Sequence, residues 1–349
     1  MSERVPLLLR RGAVVAAALV ALIAPFYVAS FWLQAGLFVM AGIIAAAGLG
    51  LLVGSAGQLS LGHAFFVGIG AYLYTILAGG SSGSWGAHLP TALAAVLAIL
   101  LSGAVGGIVS PIAARARGVY LAVATLGLVF VGQYLLESLP SVTGGATGLP
   151  VPPLNLFGFH FGDTAPDLVV ADIPLGRLER LWYLGLVVCV AACLASSRLR
   201  GGRFGRALRM MKNDAVAASA VGIRVRRLRA WAFVIAAVYA GLGGVLFALA
   251  SSVVVPDTFD TNASISYLAM VFIGGAASTG GAASGAVFVT ALPLVLGRYG
   301  AHIPFLGSGD TGQVTPAQLA NYVYGLVLVA VILLSPRGIS GFLRTARAR

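Results

Sequence analysis

The chain has 349 residues, of which 59% are hydrophobic and 9% charged, and its formal net charge is +12. Mean hydropathy is +0.97. A soluble globular chain carries about 25% charged residues, so a soluble enzyme or nucleic-acid-binding domain is excluded, and residues 1–349 read as a single transmembrane domain. The positive excess does not point to a polynucleotide. Of the 22 basic residues, ten fall in Arg198–Arg229 and four in Arg337–Arg349. Both stretches flank apolar runs, where orientation in a membrane accounts for them.

Arg10 and Arg11 precede an apolar run that is too long for a signal-peptide core, so a retained first span is expected. From Gly12 to Ala114 there is no Asp, Glu, Lys or Arg, far more than the roughly 20 residues of one crossing. Polar and small-residue breaks divide it into spans near 13–33, 36–53, 60–79 and 89–112. Arg115 and Arg117 then face the cytoplasm. A fifth span, 118–136, leads out to a loop, 137–180, that is rich in Pro and Gly and mildly acidic. This loop is expected on the extracytoplasmic face. Span 181–197 returns to the basic segment 198–229, and span 230–252 leads out again. Runs at 263–278, 281–297 and 318–335 bring the arginine-rich C-terminus back to the cytoplasm. The expected fold is therefore an all-α, polytopic transmembrane helical bundle of about ten spans, with both termini cytoplasmic.

Three stretches carry candidate functional residues. In Gly54–His63, three glycines permit close approach and non-helical angles, and Gln58, Ser60 and His63 supply uncharged donors and acceptors. If this break lies at membrane depth, its backbone groups must be buried in protein or line a cavity. Gly57, Gln58, Ser60, Gly62 and His63 are the candidates for a translocation path. Thr143, Gly144 and Gly145 form a second glycine-rich stretch in the outer loop, where backbone amides could meet a carboxylate; a plain flexible loop is the competing reading.

The third stretch is 204–222. Phe204, Leu208, Met211, Ala215, Ala218 and Gly222 recur at spacings of three or four, on one helix face. Arg203, Arg206, Arg209 and Lys212 fall on a neighbouring face, and Gly222 is a C-terminal stop. An amphipathic helix lying on anionic lipid and a docking element for a protein partner both fit this pattern.

Bond-making chemistry has no visible site. The one lysine, Lys212, is followed by Asn213, so the Lys-Ser/Thr of a phosphate loop is missing. No Asp, Glu, Lys or Arg falls inside an expected span, which argues against a proton- or sodium-coupled carrier. Cys189 and Cys193 have no His or acid nearby and read as small buried hydrophobes. No metal, cofactor or enzymatic activity is expected in this chain.

Several segments carry a family resemblance: GSAGQLSLGHAFFVGIGAYL (54–73), ARARGVYLAVATLGL (114–128), VTGGATGL (142–149), the long stretch from Arg203 to Leu249, and YLAMVFIGGAASTGGAASGAVF (267–288). Together they resemble the LivM-type permeases of ABC importers for branched-chain amino acids. The resemblance implies a bacterial inner-membrane permease subunit that forms half of a pathway. Its partners would be a second homologous permease, two ABC ATPase subunits that bind the ATP, and an extracytoplasmic substrate-binding protein, with no nucleic acid. It also implies that Asp214–Gly222 belongs to a cytoplasmic coupling helix seated on an ATPase. Phe204, Arg206, Arg209, Lys212, Asp214, Ala217, Ala218 and Gly222 are then the coupling candidates, with the cations pairing to ATPase acids or membrane lipid. Substrates of the resembling permeases include branched-chain and other amino acids, amides and urea. The alternative class is a self-sufficient secondary carrier or channel for a small polar solute.

Overall fold

The computed structural model describes residues 20–79, 86–116, 118–156, 158–162, 168–170 and 173–299, with parts of 315–330. Arg117, the terminal arginines and half of the run 318–335 lie outside the described residues. Helix α1 (20–27) ends at a bend at Val28 and Ala29. Helix α2 (Ser30–Gly50) runs directly into a π turn, Leu51–Ser55. The expected boundary near residues 34–35 is therefore displaced to 28–29. Gln34 does not mark a helix end because its amide is used inside the bundle, donating from Nε2 to Ala250 O at 3.0 Å.

Helices α3 (His63–Ala78), α4 (Thr91–Arg115) and α5 (Val119–Ser138) follow, then a short α6 (Pro140–Thr143). The 137–180 loop holds β1 (Leu149–Pro150), β2 (Asn155–Leu156), β3 (Phe159–His160), β4 (Leu168–Val170) and β5 (Ile173–Leu175). β2 with β3 and β4 with β5 form antiparallel ribbons. Helix α7 (Arg177–Gly201) leads to α8 (Arg203–Asn213), α9 (Ala215–Ala220) and α10 (Val225–Ser251). β6 (Val253–Val254) pairs with β1. Helices α11 (Thr261–Gly274) and α12 (Thr279–Tyr299) close the described bundle.

Among the described residues, six helices are long and apolar enough to cross a membrane: α2 with its π turn, α4, α5, α7, α10 and α12. Helices α3 and α11 are apolar but shorter, at 16 and 14 residues. The chain is a multi-pass membrane protein. Its centre is α10, packed against α2, α3 and α4. Small residues make that packing close, as expected where lipid offers no hydrophobic driving force between helices. A Cβ on Gly244 would lie 2.0 Å from Val67 O, and one on Gly70 would lie 2.3 Å from Gly241 O. Across the α11–α12 hairpin, a Cβ on Gly285 would lie 1.8 Å from Met270 O.

The bundle has two distinct ends. At the loop end, Tyr74 Oη donates to Pro152 O at 3.0 Å and Thr91 Oγ1 to Asn155 O at 3.2 Å. At the arginine-rich end, α7 stops, α8 and α9 lie across the bundle, and α10 starts. The 203–222 segment, expected as one helix, is two. Asp214 has extended angles, φ −150° and ψ 108°, and divides α8 from α9. A short carboxylate competes with the helix for its own backbone amides, and here it starts a new helix.

Candidate functional site

The Gly54–His63 break leaves the π turn at the arginine-rich end and climbs back into the bundle. His63 Nε2 lies 2.9 Å from Ala45 O. Ala45 stands nine residues before Gly54, which is about 13 Å along a helix. The non-helical residues 57–62 therefore climb well into the bundle, and protein groups satisfy their backbone, as burial away from water demands. Gln58 N donates to Leu52 O at 3.1 Å. Leu61 N donates to Thr125 Oγ1 at 2.9 Å, and Ala64 N to Ser264 Oγ at 3.1 Å. This starting depth also explains why α3 is short.

The five pathway candidates separate in this frame. Gln58, Ser60, Gly62 and His63 are buried within the chain, while Gly57 is exposed. Gln58 Nε2 donates to Ala113 O at 3.2 Å, and its Oε1 is buried without a partner among the described residues. Gly62 packs on α5, where a Cβ would lie 2.6 Å from Thr125 O. Gly57 has φ +67°, a conformation that disfavours any side chain. Further along α3, a half-open cavity of about 350 Å³ lies between α3 and α5, lined by Phe65, Ile69, Tyr72, Val129, Gln133 and Phe259 among others and by none of residues 54–63.

In the 137–180 loop, the Thr143–Gly145 amides are spent internally. Gly144 N donates to Pro140 O at 3.0 Å and Gly145 N to Thr143 Oγ1 at 3.3 Å. The turn ties the loop end of α5 to β1, and the structure shows no open nest of amides there.

The helix pair α8–α9 sits across the arginine-rich end. Gly205, Leu208 and Met211 are buried against the bundle, and Arg203, Arg206, Arg209 and Lys212 are exposed, with Phe204 half-buried. Three of these cations fold back on backbone. Arg206 Nη1 donates to Gly201 O at 3.0 Å, and Arg209 Nη1 to Arg200 O at 2.8 Å. Both oxygens belong to the last turn of α7, where cations offset the helix dipole and the unpaired carbonyls. Lys212 Nζ donates to Gly54 O at 2.9 Å, in the π turn.

Asp214 is the N-cap of α9, its Oδ1 accepting from Val216 N at 2.8 Å and Ala217 N at 3.0 Å. Gly222, φ +86°, ends it. Gly222 N donates to Ser219 O and Ile223 N to Ala218 O, both at 3.0 Å, the paired bonds of a Schellman stop. Ala218 is fully buried and faces the bundle. The outward face is instead Val216, Ala217, Ala220 and Val221, with Val216 79% and Val221 64% exposed.

A family model described as "Branched-chain amino acid transport system / permease component" matches residues 33–332. The chain belongs to this family. It is 32% identical over 284 residues to the high-affinity branched-chain amino acid transport system permease protein LivM of Escherichia coli K12, covering 78% of this chain. The Salmonella typhimurium protein of the same name matches at the same identity and coverage. The chain spans 64% of the length of these two relatives. A probable branched-chain amino acid transport permease protein LivM of Methanocaldococcus jannaschii is 24% identical over 197 residues, about half of each chain. No solved structure matches.

Within this family member, two features escaped sequence reasoning. Val216 and Val221 become a face only once the helix is known to restart at Asp214. Arg200 was counted among the flanking charges outside the span, yet it is 6% exposed. The signal was present: Leu181, Gly185, Cys189, Ala192, Ser196 and Arg200 form the buried stripe of α7, at spacings of three and four. The expectation that no span holds a charge is thereby corrected, because α7 extends from Arg177 to Gly201.

Proposed function

We propose that this chain is the permease subunit of an ATP-driven importer for branched-chain or related small amino acids or amides. It spans an inner membrane about ten times, with both termini and α8–α9 in the cytoplasm. Its partners are a second, homologous permease, two ATPase subunits and an extracytoplasmic binding protein that meets the 137–180 loop, including Thr143–Gly145. The chain itself holds no ATP. Family membership supports the transport class, and the half-open apolar cavity between α3 and α5 suits an aliphatic side chain. Gln58, Ser60, Gly62 and His63 hold the wall of the path, and Gly57 is the member open to solvent.

One observation carries the coupling. Helix α9 presents an apolar face of Val216, Ala217, Ala220 and Val221 to water, capped at its start by Asp214 and at its end by Gly222. A six-residue helix has little stability of its own, so two caps and a buried Ala218 indicate a shape kept for contact. The test is co-purification. Wild-type chain should bring an ATPase from its native membrane, and Val216→Arg should lose it while inserting normally. An ATPase retained at wild-type level by both Val216→Arg and Val221→Arg would refute the docking role.

A further inference from the structure

Arg200 lies in the last turn of α7, buried where three helix ends meet. Its Nη1 donates to Ala276 O at 2.8 Å, in the turn between α11 and α12. Its Nη2 donates to Ala47 O at 3.3 Å, in the last turn of α2. Gly50 makes the space, since a Cβ there would fall 2.7 Å from Nη2. The C-terminal end of α7, the turn after α11 and the junction of α2 with its π turn converge here, and Ala47 O accepts from Leu51 N and Ser196 Oγ as well as from Arg200. Two charge-assisted hydrogen bonds offset the burial of the guanidinium, while its Nε has no partner among the described residues.

The backbone of the same residue carries α8. Arg209 donates to Arg200 O, and Gly205 packs so closely that a Cβ would lie 2.1 Å from that oxygen. Further along the same face of α8, Lys212 holds Gly54 O. Gly54 in turn lies against Ala276, where a Cβ would come within 1.9 Å of the carbonyl that Arg200 holds. The helix pair is thus tied to the π turn by Lys212 and to the backbone of Arg200 by Arg209, and the Arg200 guanidinium carries that tie on to α2 and to the α11–α12 turn. A π turn is a local irregularity in the helix ladder and commonly marks functional positions.

We propose that Arg200 is a positioning residue for transport, the pin that transmits displacement of α8–α9 to the π turn of α2 and to the α11–α12 turn. The proposal rests on the permease reading above and assigns the transmission to one guanidinium. The other ties of α8 are the Arg206 and Arg209 bonds to the backbone of α7, the apolar contacts of Leu208 and Met211, and the exposed Lys212 bond; none of them reaches Ala47 or the carbonyl of Ala276.

The experiment uses the full complex in proteoliposomes, with the ATPase that co-purifies with the wild-type chain. Arg200→Met keeps the length and apolar stem and removes every donor. It should assemble and hydrolyse ATP as wild type does, while substrate taken up per ATP falls about ten-fold, the scale of a lost charged hydrogen bond expressed as coupling. Arg200→Lys, which can hold one carbonyl at a time, should recover part of that ratio. Wild-type uptake per ATP in Arg200→Met overturns the proposal, and so does loss of the ATPase from that variant, which would make Arg200 part of docking. Should Arg200→Met fail to accumulate, Gly50→Ala carries the test by displacing the guanidinium with the arginine retained. Gly50→Ala should show the same loss, and normal coupling in it overturns the proposal. If the wild-type chain itself brings no ATPase, the permease reading fails first and the pin falls with it.

Discussion

Replacing Asp214 with alanine removes one exposed carboxylate and two hydrogen bonds, to Val216 N and Ala217 N. Loss of an N-cap costs about 1 kcal/mol, within a range of about 0.5–2. Helix α9 has six residues, so this is a large share of what orders it, while the transmembrane body is untouched. If docking requires the ordered helix, apparent affinity falls in proportion to the ordered fraction. A loss of about 1 kcal/mol then weakens ATPase binding by up to about five-fold. The assay is titration of purified ATPase onto nanodisc-embedded chain, with thermal unfolding of the bundle as control. Asp214→Ala should lower the affinity and leave the unfolding midpoint unchanged. Asp214→Asn and Asp214→Ser, both good caps, should restore it. Equal affinity for wild type and Asp214→Ala would show that α9 order is irrelevant to docking. A failure of Asp214→Asn to rescue would show that the charge, and not the cap, is what matters.

Other expectations follow from single contacts. Ala218→Leu overpacks a fully buried position and should cost about 1–3 kcal/mol, read as increased protease cleavage within 214–222 with bundle stability unchanged. Gly222→Val places a β-branched residue at φ +86° and should fray the end of α9, visible as faster amide exchange at Gly222 and Ile223. Thr125→Val leaves Leu61 N without an acceptor inside the bundle, a loss of about 1–3 kcal/mol. It should lower the unfolding midpoint, and Thr125→Ser should restore it. Gly244→Val forces a side chain against Val67 O and should abolish accumulation of the chain in the membrane.

The membrane class, the helical character of the bundle and the basic segment were all legible along the chain. Hydropathy is a local sum, and 103 consecutive residues without an acid or base, Gly12–Ala114, admit no soluble fold. The glycine stop at Gly222 was legible too, because αL geometry selects residue type directly. The position of the break that precedes α2 was not, because Gln34 looks polar until its acceptor on α10 is in place, 216 residues away. The 203–222 segment read as one amphipathic rod because the periodicity continues through Asp214, and only the backbone shows that its carboxylate starts a second helix. That restart turns Ala218 inward and Val216 and Val221 outward. The basic run looked uniform for the same reason. Charge composition indicates which end of a bundle stays in water, but not which cation leaves it. Arg200 is buried because carbonyls from Ala47 and Ala276, remote in sequence, meet beside it at three helix ends, and only the packed structure brings them there.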